Sequence, residues 1–176
     1  FKSQGIYVMD GSRRSGHGNA YFTGLGNNKR IVFFDTLLNT LNEDQIEAVL
    51  AHELGHFRRK HVVKNMLMMA VMSLVGLALL GWASTQTWFY TGLGVETQNN
   101  AIALILFMLV IPVFSFFLHP LMTSMSRKYE FEADAYAASV SNADDLITAL
   151  VALYKENAST LTPDPLVSAI YDSHPP

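Results

Sequence analysis

The run HELGH at residues 52–56 carries the most specific chemistry in this sequence. On a helix, His52 and His56 stand at i and i+4 on successive turns of one face, so both imidazoles reach a single ion from the same side. Glu53 lies beside them, where a water on that ion would sit. A zinc ion with three protein ligands keeps its fourth position for water and lowers that water's pKa to about 7. Glu53 is then placed to take the proton and return it to a leaving amine. By helical phase Glu53 falls within the apolar stripe of Ile46, Val49, Leu50 and Phe57, where a carboxylate without a function does not belong. The pattern arises by chance in fewer than about one in a hundred chains of this length, so a surface helix that happens to carry these residues is the weaker reading.

A catalytic zinc needs a third protein ligand. The chain has no cysteine, which leaves histidine and carboxylates and excludes both a thiolate site and a thiol nucleophile. The best source is the acidic cluster Glu130, Glu132 and Asp134 in RKYEFEADAYA. Glu130 and Asp134 share a helix face and Glu132 points elsewhere. That spacing suggests Glu130 as the ligand and Asp134 as the carboxylate that orients one histidine through its other ring nitrogen. In isolation such a cluster reads as a solvated helix face; what changes the reading is how the chain returns to the first motif.

Between Lys64 and Arg127 the only formally charged side chain is Glu96, in a polar stretch flanked by two apolar runs. The runs 65–83 and 101–118 each approach the ~20 residues that span a bilayer core, the second with a kink expected at Pro112. Two successive uncharged helices suit a transmembrane hairpin better than a soluble core. Arg58, Arg59, Lys60 and Lys64 precede the first run, Arg127 and Lys128 follow the second, and the connecting loop has no Lys or Arg. Both outer ends are therefore expected at the cytoplasmic face. A hairpin that leaves and re-enters on one side brings Glu130 back to HELGH.

The composition agrees: 50% of residues are hydrophobic and 15% charged, more apolar than an ordinary soluble domain. A net charge of −3 with only short basic clusters sets aside a nucleic-acid partner. Before the motif, 6–9, 20–23 and 31–34 read as short strands separated by Gly, Ser and Asn, giving a small sheet or a pair of hairpins. Asn42 and Gln45 form a capping-box signature for a helix from about Glu43 to about Lys60. Further helices are expected after Tyr129 to about Val140 and from Asn142 or Ala143 to Asn157, followed by an irregular or short-helical tail from Thr162 to Pro176. The class is an α+β membrane protein: a small β-sheet, a zincin-type HExxH helix, a transmembrane helical hairpin and C-terminal helices. His61 lacks a partner at ligand spacing and reads as an interfacial residue of the basic cluster. His17 and His119 read likewise, and nothing in its spacing ties His174 to zinc.

With these elements in hand, the chain resembles the integral-membrane zinc peptidases that include the type I CaaX prenyl proteases and a bacterial heat-shock membrane protease. YVMDGSRRSGHGNAYFTG, NKRIVFFDTLL, AHELGHFRRKHVVKN, SRKYEFEADAYA and SHPP occur in the order of the CaaX branch. The resemblance implies one zinc ion on His52, His56 and Glu130, Glu53 as base and Asp134 in support. It also implies that the segment around Asn19 and Ala20 is the edge strand that holds extended substrate, for which strand addition gives a physical basis. His174 is implied as a histidine approaching the scissile carbonyl, where developing charge needs a fixed donor.

Residues 1–176 are thus expected to form a single metallopeptidase catalytic unit, a fragment of a longer membrane protein with further helices before Phe1. The absence of a long hydrophilic insertion before Asn42 points to a compact bacterial homologue in the inner membrane, or to the endoplasmic reticulum membrane if eukaryotic. The expected partners are membrane lipids and a peptide or protein substrate of the CaaX or other lipid-linked type. Two alternatives stand beside this reading. One is a quality-control protease for membrane proteins. The other is a catalytically silent scaffold, against which the intact Glu53 argues.

Overall fold

In the computed structural model, residues 3–13, 16, 18–23, 29–156, 162 and 164–172 are described. Strands β1 (Ser3–Met9), β2 (Ala20–Thr23) and β3 (Lys29–Phe34) form one sheet in the order β1-β3-β2. β2 runs antiparallel to β3 and β1 parallel to it, so the sheet is mixed and not a pair of hairpins. The most apolar strand takes the centre: Ile31, Val32 and Phe33 of β3 are buried, while Ile6 and Val8 of the outer strand β1 are exposed. β2 is the other outer strand, with its second edge unpaired among the described residues.

Helix α1 (Asp35–Thr40) follows β3, and its Asp35 carboxylate ties the end of β1 down by accepting from the Gly11 and Ser12 amides and the Ser12 hydroxyl. These bonds, the Ser12 hydroxyl first, hold its pKa below the usual carboxylate value. Helix α2 (Glu43–Arg58) starts at the expected capping box, in which the Asn42 side chain accepts from the Gln45 amide and the Gln45 side chain from the Asn42 amide. One face of α2 meets the sheet and α6 (Ala143–Glu156) in a core of Ala20, Ile31, Phe33, Leu37, Leu41, Val49 and Ala149. Ala48 and Ala51 pack on Ala137 and Leu146.

Among the described residues, helices α3 (His61–Ala83) and α5 (Asn100–Val140) are the two long enough and apolar enough to cross a membrane. Only 6% and 11% of their most apolar stretches is buried within the chain, as expected of helices that face lipid. Between them, α4 (Thr87–Thr91) closes the hairpin, with Phe89 and Tyr90 packed against Ala83, Ala103 and Leu106 and the Tyr90 hydroxyl donating to the Ser84 carbonyl at 2.8 Å. The polar composition of this connection predicts a loop, and the burial of Phe89 and Tyr90 makes it a helix instead.

The segment 101–118 is only the first half of α5, whose 41 residues extend for about 60 Å at the α-helical rise. The helix passes through Pro112 and Pro120 and includes the stretch before Tyr129 that the sequence reading left between two helices. In an apolar surround, breaking the helix costs more than tolerating each missing amide donor. The Ser115 and Thr123 hydroxyls donate to the Pro112 and Pro120 carbonyls. One continuous helix thus runs from the hairpin to the acidic cluster. The tail adds α7 (Pro165–Tyr171), capped by Asp164 and anchored to α5 by Arg127, which donates to the carbonyls of Ser168, Ala169 and Asp172.

Candidate metal centre

Helices α2 and α5 approach closely at Gly55. A Cβ built there would lie 2.9 Å from the Ala133 Cα and 3.0 Å from its carbonyl oxygen, so the glycine inside HELGH sets the distance between the two motifs. Arg58 lies over the Tyr136 ring at 5.6 Å and clamps the same contact. This approach brings α5 against the histidines of α2.

The Nε2 atoms of His52 and His56 are 3.1 Å apart, and the Glu130 Oε2 lies 3.5 Å from the first and 3.6 Å from the second. Ligands 2.0–2.1 Å from a tetrahedral zinc ion are separated by about 3.3–3.4 Å along each edge. The three atoms therefore already form one triangular face of such a site, and their chemistry, two imidazoles and a carboxylate, suits zinc. Glu130 is buried and both histidines are mostly so, and a buried carboxylate beside two imidazoles is the arrangement a cation compensates. The ligand trio expected from sequence is brought together.

The far side of His52 is also held. Its Nδ1–H donates to the Asp134 carboxylate at 2.8 Å, which fixes the ring orientation and leaves the Nε2 lone pair facing the ligand cluster. Burial alone would lower the His52 pKa, but the hydrogen bonds to Asp134 and Glu130 outweigh it and hold the value at about 9. In the metal-free protein this pairing stabilises the fold fully below the ordinary value of 6.5 and is lost as pH rises through about 9. An ion held between these three atoms would compete for the same nitrogen as that proton. Zinc uptake is therefore expected to release a proton near neutral pH, and the apparent zinc affinity to rise with pH until about 9, which titration calorimetry in buffers of different ionisation enthalpy measures. Replacing Asp134 by Asn removes the charge that orients His52, and zinc affinity is expected to fall about 10–100-fold in a chelator competition.

The cluster opens into a cavity of about 890 Å³ lined by Glu53, Gly18, Asn19 and Ala20, by Ile147, Leu150 and Val151 of α6, and by Tyr154. Burial raises the Tyr154 pKa. Glu53 is half-buried and lines the same cavity as His52, His56 and Glu130, as its place in the apolar stripe of α2 requires. Asn19 and Ala20 stand where β2 begins, and the Asn19 carbonyl accepts from the Phe34 amide at 2.9 Å. His174 and His17 lie outside the described residues. His119 accounts for itself structurally, with its Nδ1–H donating to the Ile170 carbonyl at 2.9 Å.

His61 is a correction to the sequence reading. It is 2% exposed and its Nδ1 lies 3.0 Å from the Nδ1 of His56. Five residues apart on one helix, the two would point about 140° away from each other. Lys60 breaks the helix in the left-handed conformation, φ 58°, so the first residue of α3 folds back onto the last turn of α2. Gly55, Tyr154 and Glu132, the last of which meets His61 at 3.2 Å, were also not assigned a role from spacing.

The chain matches the model of peptidase family M48 over residues 1–176. The chain belongs to peptidase family M48. It is 38% identical to the CAAX prenyl protease 1 homolog of Arabidopsis thaliana over its full length, covering 42% of that protein. It is likewise 38% identical to CAAX prenyl protease 1 of Saccharomyces cerevisiae, with 97% of this chain and 41% of that protein covered. Among solved structures, the crystal structure of S. mikatae Ste24p superposes with a TM-score of 0.83 at 36% identity, covering 97% of this chain and 42% of that one. The chain thus spans about two fifths of the length of these relatives, and the M48 match includes both HELGH and the α5 acidic cluster.

Proposed function

We propose that this chain is the catalytic unit of a membrane-embedded zinc endopeptidase that cleaves C-terminal CaaX-type, lipid-linked peptides, with its active site at the cytoplasmic face. The observation that carries the reading is the triangle of His52, His56 and Glu130 at ligand spacing, with Glu53 lining the same cavity. His52, His56 and Glu130 would hold the zinc ion, which would supply Lewis-acid chemistry at the cavity. Glu53 accepts the proton of the attacking water and delivers it to the leaving amine. Asp134 keeps His52 in the tautomer that presents Nε2. The edge of β2 that is unpaired among the described residues, beginning at Asn19 and Ala20, supports backbone pairing to an extended peptide, which reads shape without demanding a sequence. His174 is assigned to the carbonyl oxygen on family resemblance. The basic residues at one end of the hairpin, Arg58 to Lys64 and Arg127 with Lys128, support the cytoplasmic orientation, and relatives named CAAX prenyl protease support the substrate class.

The test is cleavage of one CaaX peptide, prenylated and unprenylated, by the full-length protein with its zinc content measured. Preferential cleavage of the prenylated form is expected. Equal cleavage of both would favour a general membrane-protein protease, and bound zinc with no cleavage of either would leave a silent scaffold.

A further inference from the structure

The two ligand histidines face one requirement. Each must offer an Nε2 lone pair to the ion, so each carries its ring proton on Nδ1 and needs an acceptor there. For His52 that acceptor is the Asp134 carboxylate. The Nδ1 of His56 instead faces the Nδ1 of His61 at 3.0 Å. Two ring nitrogens at that distance share one proton. Because His56 must keep Nε2 bare, the proton belongs to His56 and the Nδ1 of His61 is the acceptor. His61 then carries its own proton on Nε2, which points at the Glu132 Oε2, 3.2 Å away. The reverse assignment would aim an N–H of His56 at the ligand cluster and at the Nε2 of His52. Each ring proton has one consistent place.

We infer that His61, fixed by Glu132, is the positioning residue of His56, and that this pair does for the second histidine what Asp134 does for the first. The inference rests on the zinc reading above. The supporting geometry is that of a fixed part: His61 is 2% exposed, stacks on the Tyr129 ring with centroids 4.3 Å apart, and is delivered by the left-handed turn at Lys60. Lys64 approaches the same Glu132 oxygen at 3.9 Å. A carboxylate behind His61 makes its Nδ1 a stronger acceptor, which in turn raises the donor strength of the His56 Nε2 toward the metal. Glu132 lies two residues from Glu130 on the other side of α5, so a single helix supplies a ligand and both supporting carboxylates.

The experiment is zinc affinity by chelator competition on the purified full-length protein. His61→Phe keeps a flat ring against Tyr129 but has neither nitrogen, whereas His61→Gln keeps an acceptor and a donor. The Phe variant is expected to lose about 10–100-fold in zinc affinity and the Gln variant to recover part of it. Nitrogen NMR of the zinc-loaded protein is expected to show the His56 proton on Nδ1. A folded Phe variant with unchanged zinc affinity overturns the inference. Should that variant not fold, Glu132→Leu at the less buried end decides: a loss of affinity supports the inference and wild-type affinity overturns it. An unaltered protein that binds no zinc sinks the zinc reading itself, a separate outcome.

Discussion

Glu53→Gln is expected to bind zinc as tightly as the unaltered protein and to cleave peptide about 10²–10⁴-fold more slowly, the usual worth of a positioned general base. The amide has the size and shape of the carboxylate but cannot take a proton from water. Zinc is expected to be retained because the proposed ligand triangle of His52, His56 and Glu130 does not include Glu53. The proposed substrate edge at β2 does not involve Glu53, so the loss is expected in kcat more than in KM. Measuring zinc content and single-turnover cleavage on the same sample separates the two. Cleavage within a few-fold of the original rate would mean that another group is the base.

Gly55→Val is expected to damage the metal site without touching a ligand. A side chain there meets the Ala133 backbone at 2.9 Å, on the helix turn between Glu130 and Asp134. Backbone cannot swing aside as the end of a flexible side chain can, so α5 must move away from α2. Overpacking of this kind costs about 1–3 kcal/mol, and at 1.4 kcal/mol per factor of ten a comparable loss from the folded zinc-binding state weakens zinc affinity about 10–100-fold. Both Glu130 and the Asp134 partner of His52 retreat together, so Gly55→Val combined with Asp134→Asn should lose less than the product of the separate effects. Strict additivity, or a wild-type zinc affinity for Gly55→Val, would show that the contact does not set the site.

What the sequence revealed follows the range of the interactions. His52, Glu53 and His56 are legible because one helical period fixes their relation, and the Asn42–Gln45 cap that starts their helix is equally local. The pairing of Glu130 with them was legible only through the hairpin, whose uncharged runs constrain where the chain must return. His61 was misread because its contact depends on a single left-handed residue, Lys60, and no periodicity argument crosses such a break. The parallel pairing of β1 with β3 escaped for a related reason: strand patterns show which segments pair a face to the core, not which neighbour each will take. The continuity of α5 was hidden by Pro112 and Pro120, which interrupt helices in water more readily than in an apolar surround. The helix α4 that closes the hairpin was hidden in a polar stretch, because its burial comes from Phe89 and Tyr90 meeting the two long helices.

The centre of this account is that one zinc ion sits on His52, His56 and Glu130, and X-ray absorption at the zinc edge on the full-length protein tests it most directly. One zinc per chain is expected, with nitrogen and oxygen neighbours at about 2.0–2.2 Å, two of them imidazoles, and loss of the ion from His52→Ala, His56→Ala and Glu130→Ala. Stoichiometric zinc whose spectrum is unchanged in those three variants, or no zinc at all in the unaltered protein, would contradict it.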